Sequence, residues 1–197
     1  MIGGVELDDV KTIYEIRKGR TYHIAILVDR YKDRLYSLCY HLENNRSDVD
    51  DLFQDTWIKA ISKLEQYDVT KPFWTWLASI AVNTYRDKYR RLKKKLAIFY
   101  HWSKGNENHM EIVFEQVQSN EPDPQTSLVN SEFREKLIDS LAELDDKYRI
   151  PLILQYYRDM KYEDIANALN ISIGTVKSRI NEAKKRLRKV LEVKYGE

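Results

Sequence analysis

Glycine and proline are scarce in this sequence, 6 and 4 among 197 residues. So few turn-formers argue for long helices and few tight turns. Cysteine is nearly absent. The single Cys39 rules out an internal disulfide, and with it a secreted disulfide scaffold or a multi-cysteine zinc site. It lies in the apolar run Leu35-Tyr36-Ser37-Leu38-Cys39-Tyr40 and reads as a small buried hydrophobe. No apolar stretch approaches the roughly 18 residues that span a bilayer. The first residues, Met1 to Asp9, lack a basic region followed by an apolar one, so no signal peptide is expected and the chain is expected to be soluble and intracellular. His23, His41, His101 and His109 have no metal-ligand spacing on a helix face. There is no glycine-rich phosphate loop and no nucleophile elbow. Acid pairs such as Asp50-Asp51 sit in a patterned helix face. These absences argue against catalysis, and no cofactor or metal is expected.

What is present suits packed cores. The chain is 43% hydrophobic and 32% charged, long enough for one ordinary domain or two small ones. The net charge of +2 says little about partners, but its distribution does. Thr84 to Lys104 carries eight bases against one acid, Gly105 to Asp146 eleven acids against two bases, and Lys177 to Lys189 seven bases against one acid. Two basic surfaces flank an acidic connector.

The first half reads as helix. Ile24, Val28, Tyr31, Leu35, Leu38 and Leu42 recur at spacings of three and four. Asn44-Asn45-Arg46-Ser47 breaks this run, and Ser47 or Asp48 is expected to cap a second helix whose apolar face is Val49, Leu52, Phe53, Trp57, Ala60, Ile61 and Leu64. Glu65 to Lys71 is a loop. A third helix is predicted from about Pro72 to Lys95, with Phe73, Trp76, Leu77, Ile80 and Ala81 on its core side. Periodicity fades from about Ala97 to Ser131, an acidic mobile linker with at most one short helix near Met110 to Val117. It returns at Glu132: Leu137, Leu141 and Leu144 mark one helix, Tyr148, Leu152 and Gln155-Tyr156 another. With no strand pattern and no repeat, the expected fold is all-α: two small helical domains, 1–96 and 132–197, joined by the linker 97–131.

The sharpest motif lies at Tyr162 to Leu187. A short helix ending at Leu169, the turn Asn170-Ile171-Ser172 and a long basic helix from Ile173 to Leu191 make a helix-turn-helix. Val176, Ile180, Ala183, Leu187 and Val190 form the stripe that packs on Ile165, Ala166 and Leu169, with Ile171 plugging the turn. Ser172 is placed to cap the second helix. The free N–H groups of its first turn, which includes Gly174 and Thr175, suit a phosphate. Lys177, Ser178 and Asn181 face base edges in a major groove, and Lys184, Lys185 and Arg188 face phosphates. The plain alternative is an amphipathic helix with a solvated basic face.

Tyr162-Glu163-Asp164-Ile165-Ala166, Leu169 to Ile180 and Ala183-Lys184-Lys185-Arg186-Leu187 resemble region 4 of sigma-70 family factors. Asp48-Val49-Asp50-Asp51-Leu52-Phe53-Gln54-Asp55-Thr56-Trp57 resembles region 2.2, and Phe73 to Asn83 with Asp87 and Arg90-Arg91 resembles regions 2.3 and 2.4. The likeness covers about Tyr22 to Arg91 and Glu132 to Val190. With nothing like region 1.1 or a full region 3, it is to the extracytoplasmic-function (ECF) type.

The resemblance implies a polymerase specificity subunit that directs core polymerase to promoters and helps open the −10 element. Asp50, Asp51, Gln54 and Asp55, otherwise a solvated acidic stripe, would dock on a coiled coil of the polymerase beta-prime subunit, with the beta subunit completing the core partner. Trp74, Asn83, Arg86, Tyr89 and Arg90 would hold melted −10 DNA, helped by Tyr85 and Lys88, and the loop Glu65 to Lys71 would read a flipped base. Trp74 suits either DNA contact or partial burial. Ser172, Thr175, Lys177, Ser178, Arg179, Asn181, Lys184 and Lys185 would contact the −35 duplex. Val82 departs from the family's basic residue beside Asn83, and Asn181 and Glu182 depart from its recognition helix; Glu182 would repel phosphate or accept from cytosine N4. The resemblance also implies an anti-sigma partner and a cytoplasmic location, at the membrane where that partner is anchored there. Two other readings stand beside it: a dimeric helix-turn-helix repressor or activator acting without polymerase, and an interaction module whose first domain binds only protein.

Overall fold

The computed structural model describes residues 7–43, 45–103, 136–158 and 160–196, without the side chains of 7, 93–103, 157 and 158. All regular structure among the described residues is helical. The predicted helix at Met110 to Val117 and most of the expected linker lie outside them.

The first body holds α1 (Leu7–Arg17), α2 (Ile24–Leu42), α3 (Arg46–Lys63) and α4 (Phe73–Ser103). α2, α3 and α4 pack on one another. Leu35, Leu38, Leu42, Leu52 and Leu77 have essentially no exposed surface, which removes apolar area from water at about 25 cal/mol per Å². Cys39 is free and buried among them, and that burial pushes its thiol up to about 12. It is the inert core residue its neighbours suggest.

Two boundaries and one buried face differ from expectation. The cap of α3 is Asn45, not Ser47 or Asp48: in extended conformation (φ −132°, ψ 153°), its Oδ1 accepts from the Asp48 N–H at 2.8 Å, and its amide donates back to the Asp48 carboxylate. This reciprocal arrangement satisfies a free N–H of the first turn and sets the helix start earlier. α4 runs on through Ser103, past the point where periodicity fades. Residues 96–103 contain no helix breaker, and the first one is Gly105. Ile61, expected on the buried face of α3, is 42% exposed, and Ile58 is 65% exposed.

The N-terminal helix α1 is a further element. Ile13 is fully buried, and Asp9, also buried, accepts from the Tyr31 hydroxyl and from Arg30. Arg17 donates to the Leu64 and Tyr67 carbonyls (2.9 and 2.5 Å), tying α1 to the loop before α4.

The second body holds α5 (136–142), α6 (Asp146–Arg158), α7 (Tyr162–Leu169) and α8 (Ile173–Tyr195). α8 packs on α6 and α7, with Val176, Ile180 and Ala183 buried, Leu187 partly so, and Ile165, Ala166 and Leu169 buried opposite. The two bodies touch where α7 meets α4 and α6 meets α2.

If Asn45 holds the start of α3, Asn45→Ala lowers unfolding free energy by about 1 kcal/mol. Ser47→Ala, exposed one residue into the helix, costs less than about 0.5 kcal/mol. Urea titrations of the two variants provide the comparison.

Candidate nucleic-acid interface

The turn between α7 and α8 is fixed by two residues. Asn170 ends α7 in the left-handed region (φ 52°, ψ 51°), a conformation asparagine tolerates better than most residues. The Ile171 N–H then reaches back to the Ala166 carbonyl at 3.0 Å, and the Ile171 side chain is half-buried against the core. Ser172, extended, caps α8: its Oγ accepts from the Thr175 N–H at 3.1 Å and lies 2.8 Å from the Thr175 hydroxyl. The Thr175 hydroxyl is thereby committed to the cap.

Beyond this turn α8 divides by face. Lys177, Ser178, Asn181, Lys184, Lys185 and Arg188 are exposed along one side, as the spacing requires. The Lys184 ammonium lies 5.1 Å from the Tyr156 ring centroid and the Lys177 ammonium 5.9 Å from that of Tyr162, whose hydroxyl accepts from Gln155 at 3.0 Å. These tyrosines, on α6 and at the start of α7, place an aromatic ring near each of the two lysines, a pairing no motif signals. Glu182 neither stands alone nor faces outward unopposed. Arg186 donates to it at 2.8 Å, which holds its carboxyl below the usual range. Arg179 departs from the exposed set: it is half-buried.

On α4 the structure separates the predicted residues further. Asn83 and Arg90 are exposed, Arg90 paired with Asp87 at 2.7 Å. Trp74 is 5% exposed, so of its two readings the structure takes burial. Its ring lies nearly parallel to Tyr31 (interplanar 12°, centroids 6.4 Å apart), and the Arg34 guanidinium covers it at 4.3 Å. Its position one residue after Phe73 brings it over α2 rather than toward solvent. Tyr85 is buried too. Lys88 is tied to Glu43 (3.0 Å) and Asp48 (2.5 Å). The Tyr89 hydroxyl donates to Glu43 at 3.2 Å, and burial first, then the Glu43 charge, pushes Tyr89 up to about 12. Arg86 is half-buried and depressed below the usual arginine range, first by that burial and then by Arg179. Val82 is fully buried, which explains an apolar residue beside Asn83.

The loop 65–71 is internally braced. Asp68 accepts from the Thr70 N–H (3.0 Å) and hydroxyl (2.7 Å), and the buried Tyr67 donates to the Lys71 carbonyl. On α3, Asp51, Gln54 and Asp55 are exposed, while Asp50 is half-buried and accepts from the Tyr36 hydroxyl at 3.0 Å. Ile58 continues this face, one turn beyond Gln54 and Asp55, as an apolar surface beside the acids. Among the described residues no group of His, Cys, Asp and Glu is arranged to hold a metal ion, and no helix is long and apolar enough to cross a membrane.

Residues 27–95 match the family model described as Sigma-70 region 2, and residues 134–187 match that described as Sigma-70, region 4. The chain is similar to the ECF RNA polymerase sigma factor SigW of Bacillus subtilis, with 32% identity over 92% of this chain and 95% of that protein. In fold it resembles the sigma factor RpoE of Bartonella quintana, solved with the anti-sigma factor NepR (TM-score 0.68, 24% identity, 86% of this chain and 97% of that one). It also resembles CnrH, solved with the cytosolic domain of CnrY (TM-score 0.66, 22% identity, 93% and 96%).

The burial of Trp74 has a measurable consequence. Trp74→Ala lowers unfolding free energy by about 3–5 kcal/mol, the cost of emptying a buried aromatic site. Chemical denaturation checks this, and a loss under about 1 kcal/mol returns Trp74 to the surface.

Proposed function

Because the chain belongs to the ECF type of the sigma-70 family, we propose that its two bodies divide promoter recognition: α8 reads the −35 duplex, α4 and the loop before it hold the melted −10 strand, and α3 docks on core polymerase. The observation that carries this reading is α8 itself, a Ser172-capped helix with Lys177, Ser178 and Asn181 exposed near its N-terminus and Lys184, Lys185 and Arg188 exposed beyond them on the same side. The first group suits base edges and the second phosphates. The half-buried Arg179 and the cap-bound Thr175 are assigned supporting roles there.

On α4, Asn83 and Arg90 are the exposed candidates for the melted strand, with Arg86 and Tyr89 beside them. The braced loop 65–71 suits a flipped base, since a rigid rim lowers the ordering cost of capture. Asp51, Gln54 and Asp55 set orientation on a basic polymerase surface, and Ile58 supplies apolar area at its centre. Asp50, held by Tyr36, shapes this face from within.

The protein performs no chemistry of its own in this reading; bond formation belongs to the polymerase. It acts in the cytoplasm, where the core enzyme and the chromosome are. The complexes of RpoE with NepR and of CnrH with CnrY motivate a further expectation, an anti-sigma partner that competes for the polymerase- and DNA-binding faces.

The test is transcription from a promoter library by purified core polymerase with the full chain, followed by sequencing of the transcripts. Initiation at a shared pair of elements supports the reading; tight duplex binding with no initiation supports a stand-alone repressor instead. Within that assay, Lys177→Ala weakens binding by about 1–3 kcal/mol in a manner that depends on the −35 sequence. A uniform loss across sequences makes Lys177 a phosphate contact. Asp51→Arg weakens core binding while leaving −35 duplex binding intact, and unchanged core affinity removes α3 from the interface.

A further inference from the structure

The loop 65–71 is braced within itself, but its seat on the first body is set at its entrance. α3 ends at Lys63, and a single tight helical turn, Leu64–Gln66, leads into the extended Tyr67 (φ −69°, ψ 129°). Carbonyls at a helix end have no partner within the helix and take donors from elsewhere. Here the donor is remote in sequence. Arg17, the last residue of α1, gives its Nη2 to the Leu64 carbonyl (2.9 Å) and the Tyr67 carbonyl (2.5 Å), and its Nε donates to the Leu64 carbonyl again at 3.3 Å. The exposed Glu65 carboxylate stands 4.0 Å from the same guanidinium.

α1 delivers this cation with little freedom. Ile13 is fully buried and Ile16 packs against the core, which fixes the inward face of α1, and Arg17 shares that face one turn beyond Ile13. At the other end of α1 the buried Asp9 accepts from Arg30 and Tyr31 of α2. Gly19 turns the chain just behind Arg17 in the left-handed region (φ 87°), and its N–H closes on the Ile16 carbonyl at 2.8 Å. From the loop side, the buried Tyr67 ring lies on Trp76 and Phe73 of α4, with centroids 4.8 and 5.5 Å apart. The loop is thus clamped between α1 and α4, and Glu65, Gln66, Asp68, Thr70 and Lys71 are exposed along its edge. Polar groups select a partner only when their support holds them to within about 0.5 Å. A planar guanidinium fixes the spacing of two carbonyls in a way that an ammonium does not.

We propose that Arg17 is a positioning residue for base capture: by seating the entrance of the loop 65–71 it fixes the polar edge offered to one flipped −10 base, and so makes the N-terminal helix part of promoter discrimination. The proposal rests on the reading of this loop as the element that takes the flipped base. Arg17 itself touches no DNA. It acts through the Leu64 and Tyr67 carbonyls, and its loss lets the loop re-seat while the rest of α4 keeps its packing.

The experiment uses holoenzyme assembled from core polymerase and the full chain, transcribing a library in which the −10 and −35 positions are randomised one at a time. The variants are Arg17→Ala, Arg17→Lys and the loop-edge double variant Gln66→Ala with Lys71→Ala; circular dichroism checks that each is folded. For Arg17→Ala the expected result is a preference for the favoured base that falls at least about fivefold at one −10 position, with preferences at the other −10 positions and at the −35 element held within about twofold. Arg17→Lys is expected to fall between Arg17→Ala and the parent, and the double variant to alter the same position. Lower output from all promoters with unchanged base preferences makes Arg17 a merely structural residue and overturns the proposal, as does a loss spread evenly over the −10 positions. If Arg17→Ala does not fold, Arg17→Lys decides alone, and an unchanged base profile overturns the proposal. A double variant that shifts one position while both Arg17 variants leave it intact overturns the role of Arg17 and leaves the loop reading standing. A double variant that shifts none removes the loop reading, and the role of Arg17 falls with it.

Discussion

Helix α4 must satisfy water and a core at once, and most of the molecule is arranged around that division. Its first turns carry Phe73, Trp74, Leu77, Ala78 and Ala81 into the packing with α2 and α3. Farther along, arginines, lysines and tyrosines replace the aliphatic residues, and each needs a partner or solvent. The partners come from elements that are remote in sequence: Glu43 and Asp48 for Lys88, Glu43 again for Tyr89, Asp146 and Arg149 for Tyr85. Glu43 is itself buried, which pushes its carboxyl up, and the Lys88 and Tyr89 hydrogen bonds oppose that shift. A buried carboxylate and a half-exposed ammonium thus stabilise each other more than either is stabilised alone. The end of α2, the start of α3 and the middle of α4 are bound into one unit by polar contacts where apolar packing gives out.

The same economy governs the second body. α7 has only eight residues, too few to be stable as an isolated helix, and it persists because Ile165, Ala166, Ala168 and Leu169 are buried. The left-handed Asn170 and the Ser172 cap then orient α8 without any long loop. Precision at the turn matters because the exposed residues of α8 reach a partner only if the helix enters it at a fixed angle. A cap bond and one backbone conformation supply that precision with no contribution from the partner.

Period and punctuation carry most of the fold. Spacings of three and four located α2, α3, α4 and α8, and the turn at Asn170-Ile171-Ser172 was legible from three residues. The helix-turn-helix stripe of Val176, Ile180 and Ala183 lies where the periodicity puts it. Three features escaped for physical reasons. α1 falls in the stretch that reads as helix, with Val10, Ile13 and Arg17 at helical spacing, but its role depends on Arg17 meeting the Leu64 and Tyr67 carbonyls, which no local pattern encodes. Trp74 stayed ambiguous because an aromatic among basic residues looks alike whether it stacks on a base or under Arg34. Arg149 carried no motif at all, being one basic residue in a helix of mixed composition, and its importance is a matter of tertiary acceptors alone. Sequence periodicity reports which face is buried, but not which polar residues the burial of a second body will enlist.

Charge shows the same limit from another side. Counting bases in Thr84 to Lys104 and Lys177 to Lys189 suggests two strongly cationic surfaces. The structure reduces both: Lys88 is neutralised by Glu43 and Asp48, Arg90 faces Asp87, and Arg186 is shared among Glu182, Asp145 and the Tyr148 ring. The exposed lysines 177, 184 and 185 contribute differently, because two of them sit near tyrosine rings, which attract a cation without cancelling its charge. The salt dependence of nucleic-acid binding scales with the cations that meet phosphate, not with those present in the sequence. A chain with a net charge of +2 can therefore bind a polyanion through a few unpaired lysines, while its remaining charges hold helices together. Separating the two populations requires the fold, because the acids that silence a base are as far as 45 residues away from it in the chain.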